Sequence, residues 1–427
     1  MNDDTINTID LSSNTVYGPF LGGSLGSGEL LDVAVTPDGH YALVSNFDAQ
    51  TVYRVDLTNP ASPVLAGSVS VPIEAEDIAI SPDGTFAMVT DGGDYNQICV
   101  INLSTFTLQT TYTVPGSTYI TAIAIAPDNQ TWVAADYESG LIFYGTYSLG
   151  GGFILTGSLS TPSPLNVTIS PDGQTALVAN VDYASVSAFS ITGPGTLAAG
   201  NTVGGLPASP QSIAFSPGGA TAYVDSVSCP DAISWLTVTA PGMISLGAAG
   251  AASLTGFCGT TYFGVDGLAV TPDGQRLVVG NTGESSAVDL VDTSAFGVTN
   301  LATPGSYPVG VATFMAFSGT VTNPYNLSFQ DDYGRSDLCV NTTTGAWQWT
   351  VLKGNGAGKI YSGAGTIISG TGFLRLTAAP GSGYGMTLID YTTAHRATAT
   401  FAYPAGGVGS GLYDINTLND GPCGGGD

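Results

Sequence analysis

The 427-residue sequence predicts an all-β protein dominated by a β-propeller, and three observations carry that prediction. Six segments repeat one pattern: a short apolar run, a Pro-Asp-Gly-like turn, a second apolar run, then a small polar or acidic residue. They are 31–46, 76–91, 121–136, 165–180, 211–226 and 266–281. Their turn prolines, Pro37, Pro82, Pro127, Pro171, Pro217 and Pro272, follow one another at 45, 45, 44, 46 and 55 residues. A period near 45 in an all-β pattern marks a propeller with one four-stranded blade per repeat.

The first strand of each copy is continuous in apolar residues (Val33-Ala34-Val35, Ile78-Ala79-Ile80, Ile213-Ala214-Phe215), which predicts burial on both faces. The turn follows because Pro presets φ, Asp bonds its own backbone and Gly accepts a positive φ. Two weaker strands complete each copy, such as 51–57 with 63–69 and 98–103 with 108–114.

The second strands AYVDS (222–226), ALVAN (176–180) and LVVGN (277–281) resemble the YVTN-type seven-bladed β-propeller family, over about residues 5–323. Residues 5–21 read as third and fourth strands without a first and second, and residues 308–323 as the reverse. Pairing them supplies a seventh blade that ties the ring shut and removes two open edges. The domains expected are therefore 1–323, a seven-bladed propeller, and 324–427, a small C-terminal domain. In the latter about seven short strands between Gly-rich turns read as a β-sandwich or jelly roll. Trp347 and Trp349, two apart on one strand, fit a core pair better than a sugar-stacking platform.

The formal charge is −26, and residues 1–324 carry 26 of the 33 acids against only Arg54 and Arg276. So acidic a surface makes nucleic acid a poor partner and attracts cations. No apolar run is long enough to span a bilayer. The composition, rich in Gly, Ala, Ser and Thr and poor in Lys, resembles exported surface proteins. The start, MNDDTINTID, has no signal-peptide pattern, so an exported chain implies a leader not present in this sequence. Cysteines agree with export. Cys229 and Cys258 fall on loops of one propeller rim and are expected to bridge, as are Cys339 and Cys423, which bracket the C-terminal domain. Cys99, mid-strand in QICVIN, reads as a buried free thiol.

Chemistry would sit on the rim shared by loops entering the first strand and leaving the second. There the repeat gathers Asp32, Glu76, Asp77, Asp91, Asp136, Asn180, Asp266 and Asn281, a ring of hard oxygens suited to Ca²⁺. The competing reading is structural, because a terminal Asx closes its own turn. Catalytic patterns are sparse: His40 follows a turn on the opposite rim, His395 lies in the other domain, and no nucleotide, haem or nucleophile motif occurs. The resemblance includes lactonases, whose sites use Arg, His and Glu around the channel, a set this propeller does not offer.

The function expected is a non-catalytic binding, surface or extracellular-matrix scaffold, with protein, glycan or like copies at the cell surface as partners. The alternative is a metal-dependent lactonase-like hydrolase on the channel rim.

Overall fold

In the computed structural model the chain forms two compact units, Met1–Phe314 and Met315–Asp427. The structure describes residues 5–93, 96–207, 209–227, 232–247, 252–253, 267–281, 287–295 and 297–302, together with the eight strands of the second unit.

The first unit opens with a hairpin, β1 (Ile6–Asp10) and β2 (Thr15–Phe20). Blade 1 is β3 (Leu30–Val35), β4 (Tyr41–Asn46), β5 (Thr51–Asp56) and β6 (Val64–Ser70). Blade 2 is β7 (Ala75–Ile80), β8 (Phe86–Asp91), β9 (Gln97–Asn102) and β10 (Thr107–Thr113). Blade 3 is β11 (Ile120–Ile125), β12 (Thr131–Asp136), β13 (Leu141–Ser148) and β14 (Gly152–Ser160). Blade 4 is β15 (Pro164–Ile169), β16 (Thr175–Asn180), β17 (Ser185–Gly193) and β18 (Thr196–Gly204). Blade 5 is β19 (Ser209–Phe215), β20 (Thr221–Val227), β21 (Ala232–Ala240) and β22 (Met243–Leu246), with β23 (Ala252–Ser253) added against β21. Blade 6 is β24 (Leu268–Val270), β25 (Arg276–Asn281), β26 (Ala287–Asp292) and β27 (Val298–Ala302). Each blade is an antiparallel meander in sequence order. This is a β-propeller.

The core lies between blades, not within them. Leu43 and Val52 of blade 1 pack with Ile78, Val89 and Ile101 of blade 2, and the same interleaving recurs at each following junction. The second strands β8, β12 and β16 are buried along their whole length, whereas β3 is only half-buried throughout. The expectation of a first strand buried on both faces holds in part: β11 is buried over Ile120–Ile123, but β7, β11, β15 and β19 all end half-buried, and the second strand is the one enclosed throughout.

Of the expected seventh blade, the described residues show a hairpin. Ile6 packs with the blade 1 core, and Ile9 and Leu11 pack with Val278, Val288 and Leu290 of blade 6. The Arg276 guanidinium also donates to Asn14 Oδ1 at 3.1 Å. The hairpin thus fills the gap between blades 6 and 1. Its proposed partner, 308–323, lies outside the described residues, among which there are six blades, five of four strands and one with a fifth short strand, not seven.

The Pro-Asp-Gly turn does more than reverse the chain. Asp38, Asp83, Asp172 and Asp273 each accept the hydroxyl of the residue two before and the amide two after. The turn glycines of blades 2, 4, 5 and 6 also abut the proline of the preceding blade: a Cβ on Gly173 would lie 3.3 Å from Pro127 Cδ, and one on Gly274 3.2 Å from Pro217 Cδ. Blade 3 has Asn129 in place of glycine, at φ 61°, and its Oδ1 accepts the Asp83 amide of blade 2 at 2.7 Å. Because Gly173 sits at φ +71° against that proline, Gly173→Ala is expected to lower stability by about 1–2 kcal/mol, read as a lower urea midpoint.

The second unit is β28 (Leu327–Asp331), β29 (Ser336–Val340), β30 (Ala346–Val351), β31 (Ile360–Ile368), β32 (Phe373–Thr377), β33 (Gly385–Tyr391), β34 (Arg396–Ala402) and β35 (Val408–Thr417). Each pairs with the next, and β35 returns to β28, so one sheet closes on itself as an eight-stranded barrel. This corrects the sandwich or jelly-roll expectation. A meander whose end strands pair leaves no edge and needs no second sheet. Among the described residues no helix is long and apolar enough to cross a membrane.

Candidate functional site

The rim where second strands end is built by the repeat itself. At the end of β12, Asp136 is fully buried and gathers four donors: Ser117 Oγ, the Thr118 amide at 2.7 Å, Thr118 Oγ1 at 3.0 Å and the Ser139 amide at 3.0 Å. The first three come from the loop entering β11 and the last from the loop leaving β12, so one carboxylate ties both loops together. Asn180, at the end of β16, is also fully buried and accepts Thr161 Oγ1 at 2.8 Å while donating to Ser185 and Ser187 hydroxyls. Asn46 donates to the Leu25 carbonyl and accepts the Ala49 amide, and Asp91 Oδ1 accepts the amides of Glu74 and Gly93. These residues act as loop latches. To bind an ion, these acceptors would have to give up or share hydrogen bonds that hold the loops.

A second set sits on the innermost strands. Asp32 Oδ2 accepts the Ile78 amide of blade 2 at 2.9 Å, and Asp77 Oδ2 accepts the Ile123 amide of blade 3 at 2.7 Å. Each aspartate therefore bridges its blade to the next one. Hydroxyls bridge blades as well: Ser45 donates to the Glu76 carbonyl between blades 1 and 2, and Thr121 to the Leu165 carbonyl between blades 3 and 4, both at 2.7 Å. Ala122, Asn166, Ser212 and Gly267 occupy the equivalent position in blades 3 to 6, so the acidic pair is confined to one side of the axis.

Glu76 completes an acidic cluster with this pair. It is 9% exposed, and its Oε2 is enclosed without a hydrogen-bond partner. Gly92 gives it room, since a Cβ there would lie 2.7 Å from that oxygen. Burial, then repulsion from Asp77, Asp91 and Asp32, raises the Glu76 carboxyl well above the ordinary range. Burial, then Asp32, does the same to Asp77, and burial pushes Asp32 up to about 6. Tyr119, on the adjoining rim, is held neutral by burial and by Glu76, Glu138, Asp91 and Glu74.

Of the eight residues predicted as a metal ring, the structure separates Asp32, Glu76 and Asp77 from the latches Asp91, Asp136 and Asn180. Asn281 ends β25 with its side chain outside what is described, and Asp266 lies outside the described residues. So do Cys229, Cys258 and Cys423, and of Cys339 only the backbone, in β29, is described. Cys99 is a buried free thiol against Thr111, and burial raises it to about 11. Among the described residues no three His, Cys, Asp or Glu side chains stand together as a metal-ligand group.

Both propeller arginines and the described histidine are engaged elsewhere. Arg54 lies between Phe106 and Tyr41, 4.4 and 4.9 Å from their ring centres, Arg276 holds the hairpin, and His40 pairs with Asp38 at 3.1 Å. What sequence reasoning missed were the partners, the hydroxyls Ser45, Thr121, Ser117 and Thr118. No recurrent signal marks them: the Ser45 position is Thr90 in blade 2 but Ala135 and Ala179 in blades 3 and 4.

No family model matches the chain, and no curated protein matches it. Solved structures do. A functionally unknown protein from Desulfotomaculum acetoxidans is 21% identical with a TM-score of 0.59, covering 67% of this chain and 89% of its own. The periplasmic gluconolactonase PpgL of Pseudomonas aeruginosa is 17% identical with a TM-score of 0.58, covering 71% and 92%. A putative 6-phosphogluconolactonase from Bacteroides fragilis is 15% identical with a TM-score of 0.54, covering 71% and 91%. At these identities the likeness is one of fold: this chain shares the propeller with proteins that include lactonases.

Proposed function

We propose that the chain is an exported, non-catalytic scaffold whose propeller is a rigid body and whose surface binds protein, glycan or further copies at the cell surface. One observation supports this reading above the others. The rim groups that a catalyst would need free are instead loop latches, with Asp136 taking four protein donors. The strongly acidic, lysine-poor composition and the cysteine count agree with export. Two measurements test it together: protease accessibility of the protein on intact producing cells, and hydrolysis of glucono-lactone by purified protein. Surface exposure with hydrolysis at the spontaneous rate is expected, and enzymatic turnover would overturn the non-catalytic part.

A second reading, the metal-dependent lactonase-like hydrolase, draws on the unpartnered Glu76 Oε2 beside Asp32 and Asp77. As they stand these groups do not form a closed ligand set, because each aspartate holds a neighbouring strand. Ca²⁺ would have to draw them together. Thermal melting in 0.15 M NaCl with and without millimolar Ca²⁺ separates the cases, since so little Ca²⁺ scarcely changes the ionic strength or its screening length of about 8 Å. A melting point indifferent to Ca²⁺ is expected, and a saturable rise lost in Glu76→Gln would favour the metal site.

A further inference from the structure

Each described blade ends in an outer strand, and in this chain those strands share one property. The strands β6, β10, β14, β18, β22 and β27 contain no Asp, Glu, Lys, Arg or His, although residues 1–324 carry 26 acids. Exposed edge strands are ordinarily guarded by charge. Apolar exposure is concentrated in the same place. Of the eight large hydrophobic side chains exposed among the described residues, six lie on outer strands: Val64, Leu65, Leu108, Ile154, Met243 and Leu246. The described outer strands therefore form an uncharged belt made mostly of Ser, Thr, Gly, Ala and a few aliphatic residues.

The outer strands are not equally available. β18 and β22 are occupied with each other: the Asn201 amide donates to the Gly242 carbonyl, its Nδ2 to the Ile244 carbonyl, and the Ile244 amide to Asn201 Oδ1. β6 and β10 are seven residues long. β14 has nine residues, ends its sheet, and alternates strictly between exposed and half-buried positions. Ile154 is the most exposed aliphatic residue on these strands, at 61%. One bulge, opposite Tyr144 and Gly145, interrupts the edge near its middle at Thr156.

We propose that β14 is the contact through which a second copy of this chain docks side by side, in a two-fold antiparallel pairing of Gly152–Ser160 with itself. The charge distribution selects this occupant. A basic partner would be drawn to the acidic rims, whereas another copy, equally acidic, can approach closely only along the uncharged belt. An antiparallel strand edge is self-complementary, as a two-fold contact requires. The proposal deepens the scaffold reading and rests on it.

Sedimentation equilibrium of the full chain across the micromolar range tests it. A monomer–dimer equilibrium is expected that tightens between low salt and 0.15 M NaCl, because salt screens repulsion between the acidic rims. Weakening with salt would mean an ionic contact and overturn the proposal. Ile154→Glu with Ser158→Glu is expected to raise the dimer Kd by about tenfold or more, through like charges set opposite one another. Ser68→Glu with Ser70→Glu on β6 should leave it unchanged, and an equal effect there would refute the assignment to β14. Should the β14 variant fail to fold, hydrogen exchange on the unaltered protein decides: protection of 152–160 must rise with protein concentration. A chain monomeric throughout refutes the dimer alone, while lactone turnover would refute the scaffold reading alone.

Discussion

Asp136→Ala is expected to lower the stability of the propeller by about 4 kcal/mol, the largest single effect among the rim residues. The side chain is fully buried and accepts from Ser117, from both the amide and hydroxyl of Thr118, and from the Ser139 amide. Alanine leaves two part-buried backbone amides, of Thr118 and Ser139, and the buried Ser117 hydroxyl without their acceptor, and orphaned donors cost more than the bonds contributed. For a domain of this size the melting point should fall by roughly 10 °C. Asp136→Asn should cost about half as much, because Oδ1 still serves Thr118 Oγ1 and Ser139 while the new amide group faces the Thr118 amide. The control separates a latch from a ligand: the loss should be the same in Ca²⁺ and in chelator. A loss that appears only when Ca²⁺ is present would identify Asp136 as a metal ligand instead.

The fold was largely legible in the sequence because a repeat reports its own architecture. The spacing of Pro37, Pro82, Pro127, Pro171, Pro217 and Pro272 located six blades, and the turn chemistry of Asp38 and its counterparts appears in the structure as expected. What remained hidden lies between repeats. The bonds from Asp32 to Ile78 and from Asp77 to Ile123 span 46 residues each, and no local pattern announces them. Periodicity also treated all rim oxygens alike. Only burial and partners distinguish Asp136, a latch, from Glu76, whose Oε2 has no partner. The C-terminal unit was misread for a related reason. Strand content was visible, but β29, SDLCV, carries too little alternation to register, and closure depends on β28 meeting β35 some 80 residues later. Sandwich and barrel differ in that one pairing.

The inner carboxylates should make the protein less stable as pH rises from about 4 to 7, the reverse of ordinary acid denaturation. Burial lifts the folded-state value of Asp32 to about 6, against 3.8 for a free aspartate, and lifts Asp77 and Glu76 as well. Below about pH 4 both folded and unfolded chains hold these protons, and no penalty applies. Through the interval above it the folded state keeps protons that the unfolded state has lost, so stability falls with rising pH. Above the folded-state values the full penalty is in force, about 3 kcal/mol for Asp32 alone by its roughly two-unit shift. Asp38 and Asp273 act in the opposite sense: burial opposes their ionisation, but turn hydrogen bonds outweigh it, so their contribution is lost only at pH below the free-aspartate value. The two windows do not overlap. Asp32→Asn with Asp77→Asn keeps an oxygen for the Ile78 and Ile123 amides and removes both charges. That variant should melt several degrees higher at pH 7.5 and lose less stability between pH 5 and pH 7.5 than the wild type, the remaining loss coming from the buried Glu76. Thermal melting of both proteins across this range checks it. A wild-type melting point that climbs with pH, or a variant destabilised at pH 7.5, would mean that these carboxylates are ionised at no cost and hold the blades together by charge.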